Sequence, residues 1–168
     1  LLSNERPIVI LRRKKESTLA SAVAPFQNTV GVMLPYSPLH HLLLDGSLKT
    51  LVMTSGNRSD EPIAYKNEEA LSRLSTIADC FLVHDREIHM RCDDSVARIY
   101  DGEPYIIRRS RGYVPFPVKL PFPVQDILAC GGELKNTFCL TRDSYAFMSH
   151  HIGDLENLET LDSFEKGI

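Results

Sequence analysis

Short apolar runs separated by polar turns dominate the first two thirds of the chain. Runs that are rich in β-branched and bulky apolar residues and bounded by charged or turn-forming residues are typical of buried strands. This pattern predicts strands at 6–11, 31–34, 51–54 and 81–83. Two further strands, 95–100 and 105–109, flank Asp101-Gly102, a pair that favours a tight hairpin turn.

Helix-start signals precede three other segments. Pro38 is suited to the first turn of a helix, and Asn67 is predicted to cap a helix whose first turn contains Glu68 and Glu69. A third helix is expected to begin near Asn157. The apolar positions of the second helix recur at helical spacing, at Leu71, Leu74 and Ala78.

Prolines mark a change of organisation after residue 114. Four of the ten prolines lie between 115 and 123, so this stretch is predicted to be an extended linker. Residues 127–130 then lead into Gly131-Gly132, and strands are expected at 137–141 and 145–149 around a turn at Arg142-Asp143. We therefore predict a mixed α/β (α+β) domain over 1–118, a linker over 119–126, and the opening of a second domain over 127–168.

Composition narrows the class of protein. The chain has 168 residues, 43% of them hydrophobic and 24% charged, with a formal net charge of -3. These values predict a globular protein without a nucleic-acid-binding character overall, and no apolar run approaches the ~20 residues that span a bilayer.

The four cysteines form no C-x-x-C pair and no secretory signal is present, so reduced thiols in a cytoplasm are expected. The chain opens inside a predicted strand without a Met, which we interpret as a cut rather than a natural start.

The first candidate site is the polar segment 54–60, which follows a predicted strand. Ser55 and Asn57, with the glycine between them, can present hydroxyl and amide groups to phosphate oxygens at a strand end. A plain turn that uses Gly and Asn for backbone reasons is the alternative.

The second candidate site is an arginine block at the end of the 105–109 strand. Arg108, Arg109 and Arg111 precede Gly112 and Tyr113, and no acidic residue occurs from 104 to 125. Without local carboxylate partners, the guanidinium groups are predicted to bind a phosphate or carboxylate ligand in bidentate fashion. A solvated basic strand edge and a nucleic-acid patch are the alternatives.

Weaker candidates lie elsewhere in the chain. Asp93 and Asp94 could hold a magnesium ion, or they could pair with neighbouring arginines. Gly131-Gly132 lets backbone approach a ligand closely, and a hairpin turn explains it equally well. The histidines match no zinc-ligand spacing, so no metal site and no catalytic residue are assigned; they are His40, His41, His84, His89, His150 and His151.

Six sequence blocks, taken in order, resemble one protein family. The first four are SPLHHLL (37–43), MTSGN (53–57), DDSV (93–96) and RRSRGYVP (108–115). They resemble the YrdC-like domain of the hydrogenase-maturation carbamoyltransferases, the HypF family. The blocks GGELKNT (131–137) and HIGDLEN (151–157) resemble the start of the next domain of that family, which is of the sugar-kinase-like (ASKHA) type.

The resemblance implies a fold and a function. The fold is a twisted mixed sheet with flanking helices, followed by the first β-hairpin of the ASKHA-type domain. The family activates the carbamoyl group of carbamoyl phosphate with ATP, accompanied by Mg²⁺, and transfers it to the C-terminal cysteine of a partner, HypE, during [NiFe]-hydrogenase maturation. Carried over to this chain, the nucleotide and acyl-adenylate site comprises Ser55, Asn57, Ser95, Arg108, Arg109 and Arg111.

The chain also departs from the family pattern. The N-terminal Lys-x-Arg motif, the preceding acylphosphatase and zinc-finger domains and the later histidine motif are missing from this sequence, so the isolated chain is expected to be inactive. Two alternatives stay open at this point. One is a threonylcarbamoyl-AMP synthase of tRNA modification, and the other is a non-catalytic RNA-binding module, against which the net negative charge argues.

Overall fold

A computed structural model describes residues 1–59 and 61–168. Asp60, the last residue of the predicted polar segment, lies outside the described residues. The described chain divides into two compact units. The first unit comprises Leu1–Met53 and Asp94–Tyr113, and the second comprises Thr54–Asp93 and Val114–Ile168.

A four-stranded mixed sheet organises the first unit. Its strands are β1 (Ile8–Arg12), β2 (Thr29–Val32), β3 (Val96–Tyr100) and β4 (Glu103–Arg108), in the order β2-β1-β3-β4. β1 runs antiparallel to β2 and parallel to β3, and β3 runs antiparallel to β4. The predicted strands at 6–11, 31–34, 95–100 and 105–109 are therefore confirmed, as is the mixed α/β fold class.

The core of this sheet lies where its two central strands meet. Val9 of β1 is the register partner of Ala97 of β3, and both side chains are buried. The β3–β4 turn has the predicted residues, with φ of 49° at Asp101 and 80° at Gly102. Two successive positive φ values match the hairpin turn whose twist suits paired strands.

A 3₁₀ turn at Ser21–Val23 and the helix α1 (Pro38–Leu44) complete the first unit. Ser37 caps α1, because its hydroxyl accepts a hydrogen bond from the His40 N–H at 3.2 Å. Pro38 occupies the start of the helix, where its missing N–H costs nothing. The predicted helix start is confirmed.

A second four-stranded sheet organises the second unit. Its strands are β5 (Val118–Lys119), β6 (Ile127–Cys130), β7 (Phe138–Arg142) and β8 (Tyr145–Met148), all antiparallel, in the order β5-β8-β7-β6. The β7–β8 hairpin confirms the strands predicted at 137–141 and 145–149. The proline-rich stretch also contributes β5, which lies at the edge of the sheet where neighbouring prolines are tolerated.

Two helices belong to the second unit, α2 (Asn67–Leu74) and α3 (Leu158–Gly167). The helix start predicted near Asn157 is confirmed, and Asn157 caps α3, since its Oδ1 accepts hydrogen bonds from the first turn. The predicted cap of α2 is wrong. Lys66 holds the cap position, and the Asn67 side chain instead donates to the His84 carbonyl at 2.9 Å.

Two predicted strands are absent from the described residues. The segments 51–54 and 81–83 are irregular, and Val52 and Leu82 are about 70% exposed (71% and 69%). Apolar character alone does not make a strand, because the backbone N–H and C=O groups need a neighbouring strand to pair with. Among the described residues, no helix combines the length and apolarity needed to cross a membrane.

Candidate functional site

The arginine block is attached to β3 by the hydroxyl group of Ser95. Ser95 is fully buried; its Oγ accepts a hydrogen bond from the Ser110 N–H at 2.7 Å and donates one to the Arg111 carbonyl at 2.9 Å. Ser110 is fully buried as well. Ser95 therefore fixes the backbone of the block from inside the protein.

Arg108 and Arg109 both donate to backbone carbonyls. The Arg108 Nε donates to the Asp94 carbonyl, and an Arg109 Nη2 donates to the Tyr113 carbonyl, both at 2.9 Å. Both side chains are half-buried. The backbone carbonyls of Asp94 and Tyr113 thus orient these two guanidinium groups.

Arg111 is the most constrained member of the block. Its Nε lies 2.5 Å from Asp94 Oδ1, and its Nη atoms donate to the Glu5 and Arg6 carbonyls at 3.1 and 2.8 Å. Its guanidinium carbon lies 3.5 Å from the centre of the Tyr36 ring, a cation–π contact. Arg111 therefore connects three separate stretches of the first unit.

The expectation that these arginines lack acidic partners is wrong for Arg111. It rested on the absence of carboxylates from 104 to 125, whereas the partner Asp94 is 17 positions earlier in the chain. The fold brings them together at the Asp94–Arg111 bridge beside β3. Sequence distance conceals such a pair, because a sheet joins residues that are remote along the chain.

Gly112 follows the arginines directly, and the structure shows why this position requires glycine. Its φ is 89°, and a Cβ placed there would lie 2.5 Å from the Glu5 carbonyl oxygen. A side chain would therefore overlap the backbone of the N-terminal segment. The next residue, Tyr113, is partly buried, and burial together with the nearby Glu5 raises its pKa.

Ser55 and Asn57 lie in the second unit, whereas the other four predicted site residues lie in the first. Their loop is stabilised locally: the Asn57 N–H donates to the Ser55 carbonyl at 3.1 Å, and the Ala64 N–H donates to the Gly56 carbonyl at 2.9 Å. The Asn57 side-chain amide donates to the Arg58 carbonyl at 2.8 Å. Ser55 is exposed.

The carboxylate pair at 93–94 does not form a metal site in the described part of the chain. Asp94 is paired with Arg111, and no cluster of three or more His, Cys, Asp or Glu residues able to hold a metal occurs among the described residues. The residues therefore do not fit a magnesium ion bound by protein ligands.

His150 is partly buried, and this burial lowers its pKa, opposed by the negative charge of Asp93.

The arrangement provides fixed positive charge beside a glycine, with no acidic residue over 104–125. Guanidinium groups held by backbone carbonyls lose little freedom when an anion arrives, so they are suited to phosphate and carboxylate oxygens. The described geometry offers charge and hydrogen-bond donors and requires no side-chain nucleophile.

Comparison with known proteins assigns a family to both parts of the chain. Residues 2–110 match the Sua5/YciO/YrdC family model, described as telomere recombination, and residues 123–168 match the HypF Kae1-like domain. The carbamoyltransferase HypF of Synechocystis sp. is 48% identical over 169 aligned residues, which cover 100% of this chain and 22% of that protein.

Solved structures give the same result. A full-length HypF crystallised in the phosphate- and nucleotide-bound form superposes with a TM-score of 0.91 at 51% identity, over 99% of this chain and 26% of that one. HypF of T. kodakarensis superposes with a TM-score of 0.89 at 42% identity, over 97% of this chain and 21% of that one. The chain thus spans about a quarter or less of these relatives. It belongs to the Sua5/YciO/YrdC family, in the HypF form in which a Kae1-like segment follows.

Proposed function

We propose that this chain is the part of a HypF carbamoyltransferase that forms carbamoyl adenylate from ATP and the carbamoyl group of carbamoyl phosphate. The observation that carries the proposal is the arginine block held on Ser95 and Asp94. It presents oriented guanidinium groups at the end of β4 in a chain that is 51% identical to a nucleotide-bound relative.

Adenylate formation makes modest demands on protein side chains. Hydrolysis of carbamoyl phosphate by water would release inorganic phosphate and leave carbamate. A carbamate oxygen would then attack the α-phosphorus of ATP, the bond from that phosphorus to the oxygen it shares with the β-phosphate would break, and pyrophosphate would leave. The protein has to align the two reactants and stabilise the negative charge on the phosphoryl oxygens. Arg108 and Arg109 would supply that charge, and Ser55 and Asn57 would hold phosphate or acyl oxygens.

The geometry suggests different tasks for the remaining two residues. Arg111 and Ser95 contact backbone and Asp94 within the first unit. They would act by positioning the backbone between them. Magnesium would come with the ATP phosphates, since the described carboxylates form no site for it.

The second step of the proposal is transfer of the carbamoyl group to a partner protein. The thiolate of the C-terminal cysteine of HypE would attack the carbamoyl carbon, and AMP would leave with the electrons of the broken bond. This step would use the Kae1-like segment, of which residues 123–168 are present. The expected product is an S-carbamoyl cysteine.

Transfer of label tests this function in the complete polypeptide that contains this chain. Carbamoyl phosphate labelled with ¹⁴C in the carbamoyl group is incubated with ATP, Mg²⁺ and HypE. We expect ATP-dependent labelling of HypE that is lost when its C-terminal cysteine is changed to serine. Labelling that ignores ATP, or that survives the cysteine change, would refute the proposed transfer.

A second candidate is supported by the first family model, whose match spans 2–110 and concerns the Sua5/YciO/YrdC family as a whole. That candidate is threonylcarbamoyl adenylate synthesis from threonine, bicarbonate and ATP. The two functions share the adenylation step and differ in the acyl group. Parallel reactions with each set of substrates separate them.

A further inference from the structure

An ion-pair network within the second unit crosses from one family segment to the other. Glu61, Glu69, Arg73 and Arg91 belong to the part matched by the Sua5/YciO/YrdC model, and Glu159 belongs to the Kae1-like part. Five charged groups from three stretches of chain therefore converge on the N-terminal turn of α3. We call them the segment joint.

Arg91 makes most of the contacts to α3. Its Nη2 lies 2.8 Å from Glu159 Oε2, and its Nη1 donates to Ser163 Oγ at 3.2 Å. Its third nitrogen, Nε, donates to the Ile63 carbonyl at 2.8 Å, and its guanidinium carbon lies 5.0 Å from the centre of the Tyr65 ring. Every nitrogen of this guanidinium group therefore contacts either α3 or the 63–65 stretch.

Arg73 provides a second contact to the same carboxylate. Its Nη1 lies 3.2 Å from Glu159 Oε2, its Nη2 lies 2.7 Å from Glu61 Oε2, and it also pairs with Glu69 one helical turn away. The hydrogen bond to Glu61, with a smaller contribution from Glu159, raises the pKa of Arg73. Glu159 is thus bound by two arginines that each pair with another carboxylate as well: Arg73 with Glu61, and Arg91 with Glu69 at 3.6 Å.

The side of α3 that carries Glu159 differs from the side that packs within its own segment. The Phe164 ring lies 6.1 Å from the Phe138 ring of β7. Glu159 and Ser163 are four residues apart, so they lie on one face of α3. Phe164 follows Glu159 by five residues, which places it roughly 140° around the helix axis from Glu159. α3 therefore packs on β7 with one face and joins the 61–91 stretch with another.

Partial burial makes this joint more specific than an ordinary surface pair. The side chains of Arg73 and Arg91 are only 20% and 18% exposed. The position of Glu159 is fixed as well, because the Asn157 cap accepts a hydrogen bond from its N–H at 2.9 Å. Forked guanidinium contacts to a carboxylate on a capped turn define both distance and orientation.

We propose that Arg91 and Glu159 are positioning residues that hold α3 against the 61–91 stretch, so that carbamoyl transfer depends on the joint whereas adenylate formation does not. The proposal rests on the proposed function for its kinetic consequence. The joint itself is independent of that function, because it consists of contacts among side chains of this chain alone.

The test compares Arg91→Gln and Glu159→Gln in the complete polypeptide with a control on the same helix, Asp162→Asn. Asp162 pairs with Lys166 four residues on, in an exposed contact that stays within α3. ATP–pyrophosphate exchange reports adenylation, and ¹⁴C transfer to HypE reports the second step. We expect each joint variant to lower the rate of ¹⁴C transfer about tenfold and to leave the rate of ATP–pyrophosphate exchange within about twofold of the parent rate. The double variant should transfer no more slowly than the more affected single variant, because both changes remove the same contact.

Equal losses in both reactions would show that the joint only stabilises the fold. Joint variants that behave like Asp162→Asn would show that the joint has no role in transfer. Amide hydrogen exchange over 158–167 supplies a readout without catalysis. We expect faster amide hydrogen exchange in Arg91→Gln and unchanged amide hydrogen exchange in Asp162→Asn, even if the proposed chemistry fails. Unchanged exchange in Arg91→Gln would overturn the joint regardless of activity.

Discussion

At the scale of single residues, buried hydrogen bonds of Ser95 determine how the arginine block is built. We predict that Ser95→Ala lowers the free energy of unfolding by about 1–3 kcal/mol, because the buried Ser110 N–H and the Arg111 carbonyl lose their partner. Chemical denaturation measures this change. Ser75→Ala is the control, since that exposed hydroxyl donates only to the Ser72 carbonyl at 3.2 Å. Equal effects of the two changes would contradict the role given to Ser95.

His150 makes a prediction about pH. Burial lowers its pKa from the ordinary value of 6.5, so the unfolded state binds a proton more readily than the folded state does. Its contribution to stability is therefore complete above pH 6.5 and is lost as the pH falls through the lowered, folded-state pKa. As the pH is lowered from 6.5, the denaturation midpoint should fall less steeply for His150→Gln than for the parent protein. An identical slope would show that His150 is not a source of the pH dependence.

At the scale of elements, the close approach of the arginine block to the N-terminal segment depends on Gly112. We predict that Gly112→Ala destabilises the protein by at least about 1–3 kcal/mol, because it combines a positive φ with overlap at the Glu5 carbonyl. Gly46→Ala is the matched control, since a Cβ there meets nothing within 4 Å. Thermal unfolding of both variants checks the prediction, and a mild effect at Gly112 would show that the segment can move away.

The elements also show what the sequence could predict. The starts of α1 and α3 are encoded by local signals, Pro38 and Asn157, and the structure confirms both predicted starts. The apolar stretches 51–54 and 81–83 carry no information about their strand partners, and they are irregular in the structure. Each predicted strand that the structure confirms has at least one neighbour in its sheet that is also predicted to be a strand.

The residues of the candidate site were likewise predictable from the sequence only in part. Arg108, Arg109 and Arg111 stand out in the sequence because their block is so basic. The role of Asp94 as the carboxylate partner of Arg111, and the buried position of Ser95, depend on the pairing of β3 with its neighbours. Contacts between residues that are distant in sequence are determined by the fold, which local patterns do not contain.

At the scale of the whole molecule, polar contacts connect stretches that the hydrophobic core does not. Pro7, Val9 and Ala97 are the buried apolar residues in the described part of the chain, whereas Arg111 and Arg91 each link separate stretches within their own unit. Organisation of this kind fits a chain that spans about a quarter or less of its relatives. The activity proposed here therefore has to be measured in the complete polypeptide.

Carbamoyl-phosphate-dependent ATP–pyrophosphate exchange tests the central claim most directly. The account predicts exchange that requires carbamoyl phosphate, falls about tenfold or more in Arg109→Ala, and is unchanged in Arg98→Ala, an exposed arginine on β3. Exchange that requires threonine and bicarbonate instead, or that is unaffected by Arg109→Ala in a folded protein, would contradict it.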